Sequence, residues 1–125
     1  MREVKYRGFS ISKKQWVYGY LVIDTDTKLT YIVEIAYWDC IDSKDETLYY
    51  EVYFESVGQY TGLKDKNGKE IYDKDIIKNN NGDITEVEFL IGRILPFYTY
   101  PEYNCWNEFE CGVIGNIYEN PELLE

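Results

Sequence analysis

Short β-branched and aromatic runs, each bounded by polar turn chemistry, recur along the chain and predict strands rather than helices. Residues 4–11 read as a first strand, closed by the polar turn Ser12-Lys13-Lys14. Residues 15–24 read as a second, with Trp16, Tyr18, Tyr20 and Val22 on one face and Val17, Gly19, Leu21 and Ile23 on the other. The Asp24-Thr25-Asp26-Thr27 run predicts a turn, because short polar side chains bond nearby backbone groups there. Residues 29–38 then return as a third strand with Leu29, Tyr31, Val33 and Ile35 on a common face, completing an antiparallel meander.

After an acidic loop at 39–46, residues 47–55 read as a strand, since Tyr49, Tyr50, Val52, Tyr53 and Phe54 crowd together. A helix over part of 43–54 is the competing reading, as Asp42 or Ser43 can cap one. In Asp65-Lys66-Asn67-Gly68 the Asn-Gly pair predicts a tight hairpin turn with positive φ angles. Residues 76–78 form a short strand ending in a second turn, Asn79-Asn80-Asn81-Gly82-Asp83. Residues 84–91 alternate Val87, Phe89 and Ile91 against Glu86 and Glu88, the signature of a further strand. Two prolines argue against a central strand over 96–106. Residues 105–111 and 113–118 read as the last two strands, before a C-terminal helical turn opened by Asn120-Pro121. The sum is an all-β, mainly antiparallel protein, a small roll or barrel with minor helical turns.

Composition adds constraints rather than chemistry. At 125 residues there is room for one domain, and 18% aromatic content with 14 Tyr supplies ample apolar surface for a core. Thirteen basic against 23 acidic residues leave a net charge of -10. That balance disfavours direct contact with nucleic acid or an anionic membrane, and suits solubility or a basic partner. The start Arg2-Glu3-Val4-Lys5 has no apolar run of a secretory signal, and no stretch is long and apolar enough to span a membrane. Cys40, Cys105 and Cys111 show no CxxC spacing, which fits reduced thiols in a cytosolic protein. A Cys105–Cys111 disulfide is conceivable, but nothing demands it.

Several reaction classes are excluded outright. The chain has no histidine, so Ser-His-Asp and Cys-His catalysis and His-based metal sites are absent. Neither GxxxxGK[ST] nor GxGxxG occurs. Asp24-x-Asp26 and Asp73-x-Asp75 fail the calcium-loop template, whose sixth and twelfth positions hold Leu29 and Ile35, or Lys78 and Ile84. No enzyme, metal or cofactor is therefore expected. An enzyme built on Asp, Glu, Lys or Tyr is left without a constellation to carry it. The candidate partner-binding surface is the proline-stiffened aromatic stretch, with Phe97, Tyr98, Tyr100, Tyr103 and Trp106. The commoner use of such loop rings is to plug a barrel end or join copies of the chain.

Three segments carry a resemblance. Arg2-Glu3-Val4-Lys5-Tyr6-Arg7-Gly8 with Trp16-Val17-Tyr18-Gly19-Tyr20-Leu21 forms the opening, and the central block runs from Val57 through Gly62-Leu63-Lys64-Asp65-Lys66-Asn67-Gly68 to Tyr72 and on to Asp75-Ile76-Ile77. The ending is Val113-Ile114-Gly115-Asn116-Ile117-Tyr118-Glu119-Asn120-Pro121. Together they resemble the YopX family of small phage and prophage proteins. The resemblance implies a meander lobe over about 1–55 and an SH3-like lobe over about 56–125, in the cytoplasm of a bacterial host. It brings no assigned activity or site residues. Lys74 stands where the resemblance leads to an expectation of Gly. The functional expectation is a non-catalytic module binding an unknown phage or host protein. The alternatives are an acidic decoy of a host nucleic-acid-binding protein and a carboxylate-based enzyme. Exposed strand edges leave a homo-oligomer open.

Overall fold

The computed structural model describes residues 4–35, 47–90, 93–97 and 106–124. The fold is antiparallel β throughout, with only short 3-10 turns between strands. The chain divides into two compact units, Glu3–Gln59 and Tyr60–Glu125.

The first unit is the expected meander. Strands β1 (Tyr6–Phe9), β2 (Trp16–Ile23), β3 (Thr30–Ile35) and β4 (Thr47–Glu51) pair in sequence order. The start of β5 (Gly58–Lys64) adds to the free side of β1 through Tyr6 opposite Gln59. The first two connections, 10–15 and 24–29, are each six residues long. Ser10 and Asp24 each accept a backbone bond from the lysine four residues on, Lys14 and Lys28, and those lysines take φ of 54° and 66°. Asp24 also accepts from the Asp26 N–H at 2.9 Å, and that bond holds its carboxyl below the usual range. The residues read as a calcium pair thus include one that closes its own turn.

The period of two decides the core of this unit. Val17, Ile32, Tyr50 and Val52 are buried together, with Tyr6, Leu21 and Val57 packed against them. Of the two faces read for β2, the Val17–Leu21 face is the inward one. In β3 the deepest side chain is Ile32, fully buried, on the face opposite Tyr31 and Val33. The strand expected over 47–55 stops at Glu51, and Phe54–Ser56 closes into a 3-10 turn. Ser56 explains the stop, because its hydroxyl donates to the Tyr53 carbonyl at 2.6 Å and accepts from the Phe9 N–H at 2.7 Å. Residues 36–46 lie outside the described residues, so the helix alternative is addressed only from Thr47 onward, where the chain is strand.

The second unit contains the rest of β5, then β6 (Glu70–Tyr72), β7 (Asp75–Asn79), β8 (Ile84–Glu86), β9 (Glu88–Leu90), β10 (Arg93–Leu95) and β11 (Cys111–Asn116). β5 pairs with β6, β9 with β10, and β7 lies between β11 and β8. Among the described residues these sheets do not close into a barrel. The core gathers Ile71, Ile77, Val87, Ile94, Phe97 and Cys111. Each fully buried aliphatic side chain here contributes roughly 1.5–3 kcal/mol. Cys111 is a free, buried thiol, and desolvation together with the Asp65 carboxylate pushes its pKa up to about 11. It stays protonated and inert at neutral pH. Cys40 and Cys105 lie outside the described residues.

Three expectations are corrected in this unit. The strand read over 84–91 breaks at Val87, whose N–H donates to the Asp75 carbonyl and whose carbonyl accepts from Lys74, so the chain leaves one sheet and joins another. The strand read over 105–111 is instead a 3-10 turn at Glu108–Glu110, because the Asn107 side chain accepts from the Phe109 N–H at 2.8 Å and caps it. The last strand begins earlier than read, at Cys111, and carries a bulge between Val113 and Gly115. The C-terminal turn does form, as a 3-10 turn at Pro121–Leu124. The Asn120 side chain reaches back to accept from the Asn116 N–H at 3.3 Å.

Lys74 has a φ of 76°, in the left-handed region where a Cβ is strained. Its N–H donates to the Val87 carbonyl at 2.8 Å and its carbonyl accepts from the Ile117 N–H at 2.9 Å, so the backbone cannot relax. The geometry supplies a physical reason for glycine at this position. Lys74→Gly is expected to raise stability by about 0.5–1 kcal/mol, the left-handed strain removed minus the entropy of glycine. Urea denaturation should show a higher midpoint at unchanged slope, and a lower midpoint would refute the account.

Candidate interaction surface

The proposed aromatic stretch divides in the structure. Phe97 is only 6% exposed and belongs to the core of the second unit, two residues after the end of β10. Trp106 is half-buried against the same core. Tyr98, Tyr100 and Tyr103 lie outside the described residues. Of the described pair, Phe97 therefore serves packing and Trp106 is shared between packing and surface.

A second aromatic surface emerges from the register of the first unit. Pairing places Arg7 opposite Tyr18, Phe9 opposite Trp16, Tyr20 opposite Val33, and Val22 opposite Tyr31. β4 adds Tyr49 opposite Val33 and Glu51 opposite Tyr31. All of these side chains share the face that points away from the Val17–Ile32 core. Tyr20 is 54% exposed and Tyr49 64%, with Tyr18 and Val22 also exposed.

Contacts within the face hold its rings in place. Phe9 and Trp16 meet edge-on at 5.4 Å, and Tyr31 and Tyr49 do so at 6.5 Å. The Arg7 guanidinium, buried, lies 4.6 Å from the centre of the Trp16 ring. Cross-strand pairs of this kind stabilise a sheet by about 0.2–1 kcal/mol each. They do not require Tyr20 and Tyr49 to remain open to solvent, and that exposure makes the face a candidate interface. Alternation made Tyr18, Tyr20 and Val22 legible as one face. It could not tell which face would be covered.

Ionisable groups elsewhere offer little chemistry. Burial, then the neighbouring Glu88 and Asp73 carboxylates, hold the Glu86 carboxyl above its ordinary range. The Asp73 and Asp75 carboxylates accept from the Phe89 and Tyr72 N–H groups at 3.2 and 2.7 Å, so this second candidate pair has a backbone role. Among the described residues no group of three or more Cys, Asp or Glu is placed to hold a metal ion. None of the described helices is long and apolar enough to cross a membrane.

Residues 5–125 match the family model described as YopX protein. Among solved structures, the chain is similar to protein EF1440 from Enterococcus faecalis, with a TM-score of 0.58 and 22% identity over 100% of both chains. That likeness concerns the fold. No curated protein matches the chain.

Proposed function

The chain belongs to the YopX family, and from that premise we propose that it is a non-catalytic interaction module of a phage or prophage, acting in the bacterial cytosol through the tyrosine-rich outer face of β2–β4. The carrying observation is the exposure of Tyr20 and Tyr49 on a face where Phe9 packs edge-on against Trp16 and Tyr31 against Tyr49. Tyrosine suits such a role because it brings large contact area with few rotatable bonds to freeze. The partner is a protein with a basic surface, for which the net charge of -10 supplies complementarity and steering. A basic nucleic-acid-binding protein of the host would make the chain an acidic decoy.

The test is retention from nuclease-treated lysate of cells with and without induced phage, using the wild type and a Tyr20→Ser/Tyr49→Ser double variant. Both substitutions fall on exposed positions, so circular dichroism should show an unchanged fold. The expected result is a basic protein held by the wild type, released by salt and absent with the double variant. Competition by added DNA would identify the decoy form. Equal retention by both baits, or nothing retained from either lysate, would overturn the proposal.

A further inference from the structure

A cleft lies in the other unit. It measures about 530 Å³ and opens between the Asn79–Asp83 turn and residues 106–110. Its volume falls in the roughly 300–1,000 Å³ range of small-ligand sites. One wall comes from Asn79, Asn80, Asn81 and Asp83, and the other from Trp106, Asn107 and Glu110.

Hydrogen bonding within the walls decides what they can offer. The Asn79 Oδ1 accepts from the Asn81 and Asp83 N–H groups, both at 2.9 Å, so this residue shapes the turn. The Asn80 Oδ1 accepts from the Lys66 ammonium at 3.3 Å, and the Asn107 Oδ1 accepts from Phe109. Those bonds leave the NH2 groups of Asn80 and Asn107 as donors toward a ligand. Asn81 is exposed and adds a complete amide. The Asp83 Oδ2 already accepts from the Asn79 NH2 at 3.4 Å, which leaves its Oδ1 and the Glu110 carboxylate as acceptors, and the half-buried Trp106 supplies an indole.

From this donor set we infer that the cleft is a binding site for a neutral saccharide. Two carboxylates in a chain of net charge -10 repel an anion. An apolar ligand would strip water from the amides and carboxylates without replacing their bonds. A neutral, hydroxyl-rich ring answers both demands, because each hydroxyl donates to a carboxylate or amide oxygen and accepts from an amide NH2. Its C–H faces fit against an indole. The inference goes beyond the proposed protein-binding role and stands on different residues.

The experiment is a screen of the full chain against an array of neutral and charged glycans, followed by titration of any bound glycan by ligand-observed NMR. The variants are Asn81→Ala and Glu110→Ala, since Trp106→Ala would also remove core packing. The expected result is saturable binding of a neutral oligosaccharide, weakened roughly tenfold by either variant and unchanged in Tyr20→Ser/Tyr49→Ser. Failure to retain any neutral glycan, selective retention of charged glycans, or affinity unaffected by both cleft variants would each overturn the assignment.

Discussion

Asp65→Ala is expected to lower unfolding stability by about 3 kcal/mol, a large share of the roughly 5–15 kcal/mol that holds a domain of this size. The Asp65 side chain is 5% exposed, and both of its oxygens are engaged by backbone. Oδ1 accepts from the Asn67 and Lys69 N–H groups at 2.8 and 2.9 Å, which shapes the turn. Oδ2 accepts from the Val113 N–H at 2.9 Å, 48 residues away in β11. The Lys66 N–H reinforces that link by donating to the Cys111 carbonyl at 3.0 Å. Alanine removes three bonds to a charged acceptor. Water can reach the two turn N–H groups more readily than Val113, so the loss is smaller than the sum of three such bonds.

Asp65→Asn separates the local and distant parts. An amide oxygen can still accept from Asn67 and Lys69, but its NH2 then confronts the Val113 N–H, two donors with no acceptor. A cost of about 1–2 kcal/mol is expected, below that of alanine. Urea midpoints should rank wild type, Asn and Ala in that order. Hydrogen exchange should show Val113 deprotected in both variants, and Asn67 and Lys69 only in alanine. An alanine variant within 1 kcal/mol of wild type would show that the buried carboxylate does not hold the turn to β11.

This carboxylate also shows where sequence reasoning reaches its limit. Asp-Lys-Asn-Gly was legible as a turn because its chemistry is local. The turn itself differs from the expected form, because only Gly68 takes a positive φ, 82°, and the Asp65 side chain fixes the rest. The Asn79–Asp83 turn repeats the same bonds with Asn79 in place of Asp65 and Gly82 in place of Gly68. The Val113 contact left no local trace, since an aspartate in a turn reads the same whether or not it also reaches a distant strand.

The strands show the same division. β2 and β3 were legible from β-branched alternation, whereas β5 was muted by Gly58 and Gly62 and β10 by its length of three residues. The break between β8 and β9 was hidden because the alternation continues through it, with Val87 buried as an unbroken strand would also have it. Aromatic content marked residues 96–106 as either a candidate surface or packing, and Phe97 lies in the core. A ring required for packing and one offered to a partner have the same sequence signature, and only the opposing strand decides between them. The Tyr20–Tyr49 face depends on a pairing between β3 and β4, strands that lie eleven residues apart in the sequence.

Gly19→Ala is expected to cost about 3 kcal/mol, at the upper end of the usual range for overpacking. A Cβ at this position would lie 2.2 Å from the Val33 carbonyl oxygen and 2.9 Å from its carbon. Both are backbone atoms, so no side-chain rotation can relieve the clash and β2 must move from β3. The neighbouring Tyr20–Val33 pair sits at the point of contact, within the proposed interaction face. Gly68→Ala provides the contrast. Its Cβ would meet nothing within 4 Å, and its cost is the left-handed φ alone, about 1 kcal/mol. Urea denaturation of the two variants should therefore differ by about 2 kcal/mol, and only Gly19→Ala should deprotect β2 and β3 amides in hydrogen exchange. Equal costs would mean that β2 and β3 can separate freely at Gly19, and the close approach would lose its role in positioning Tyr20.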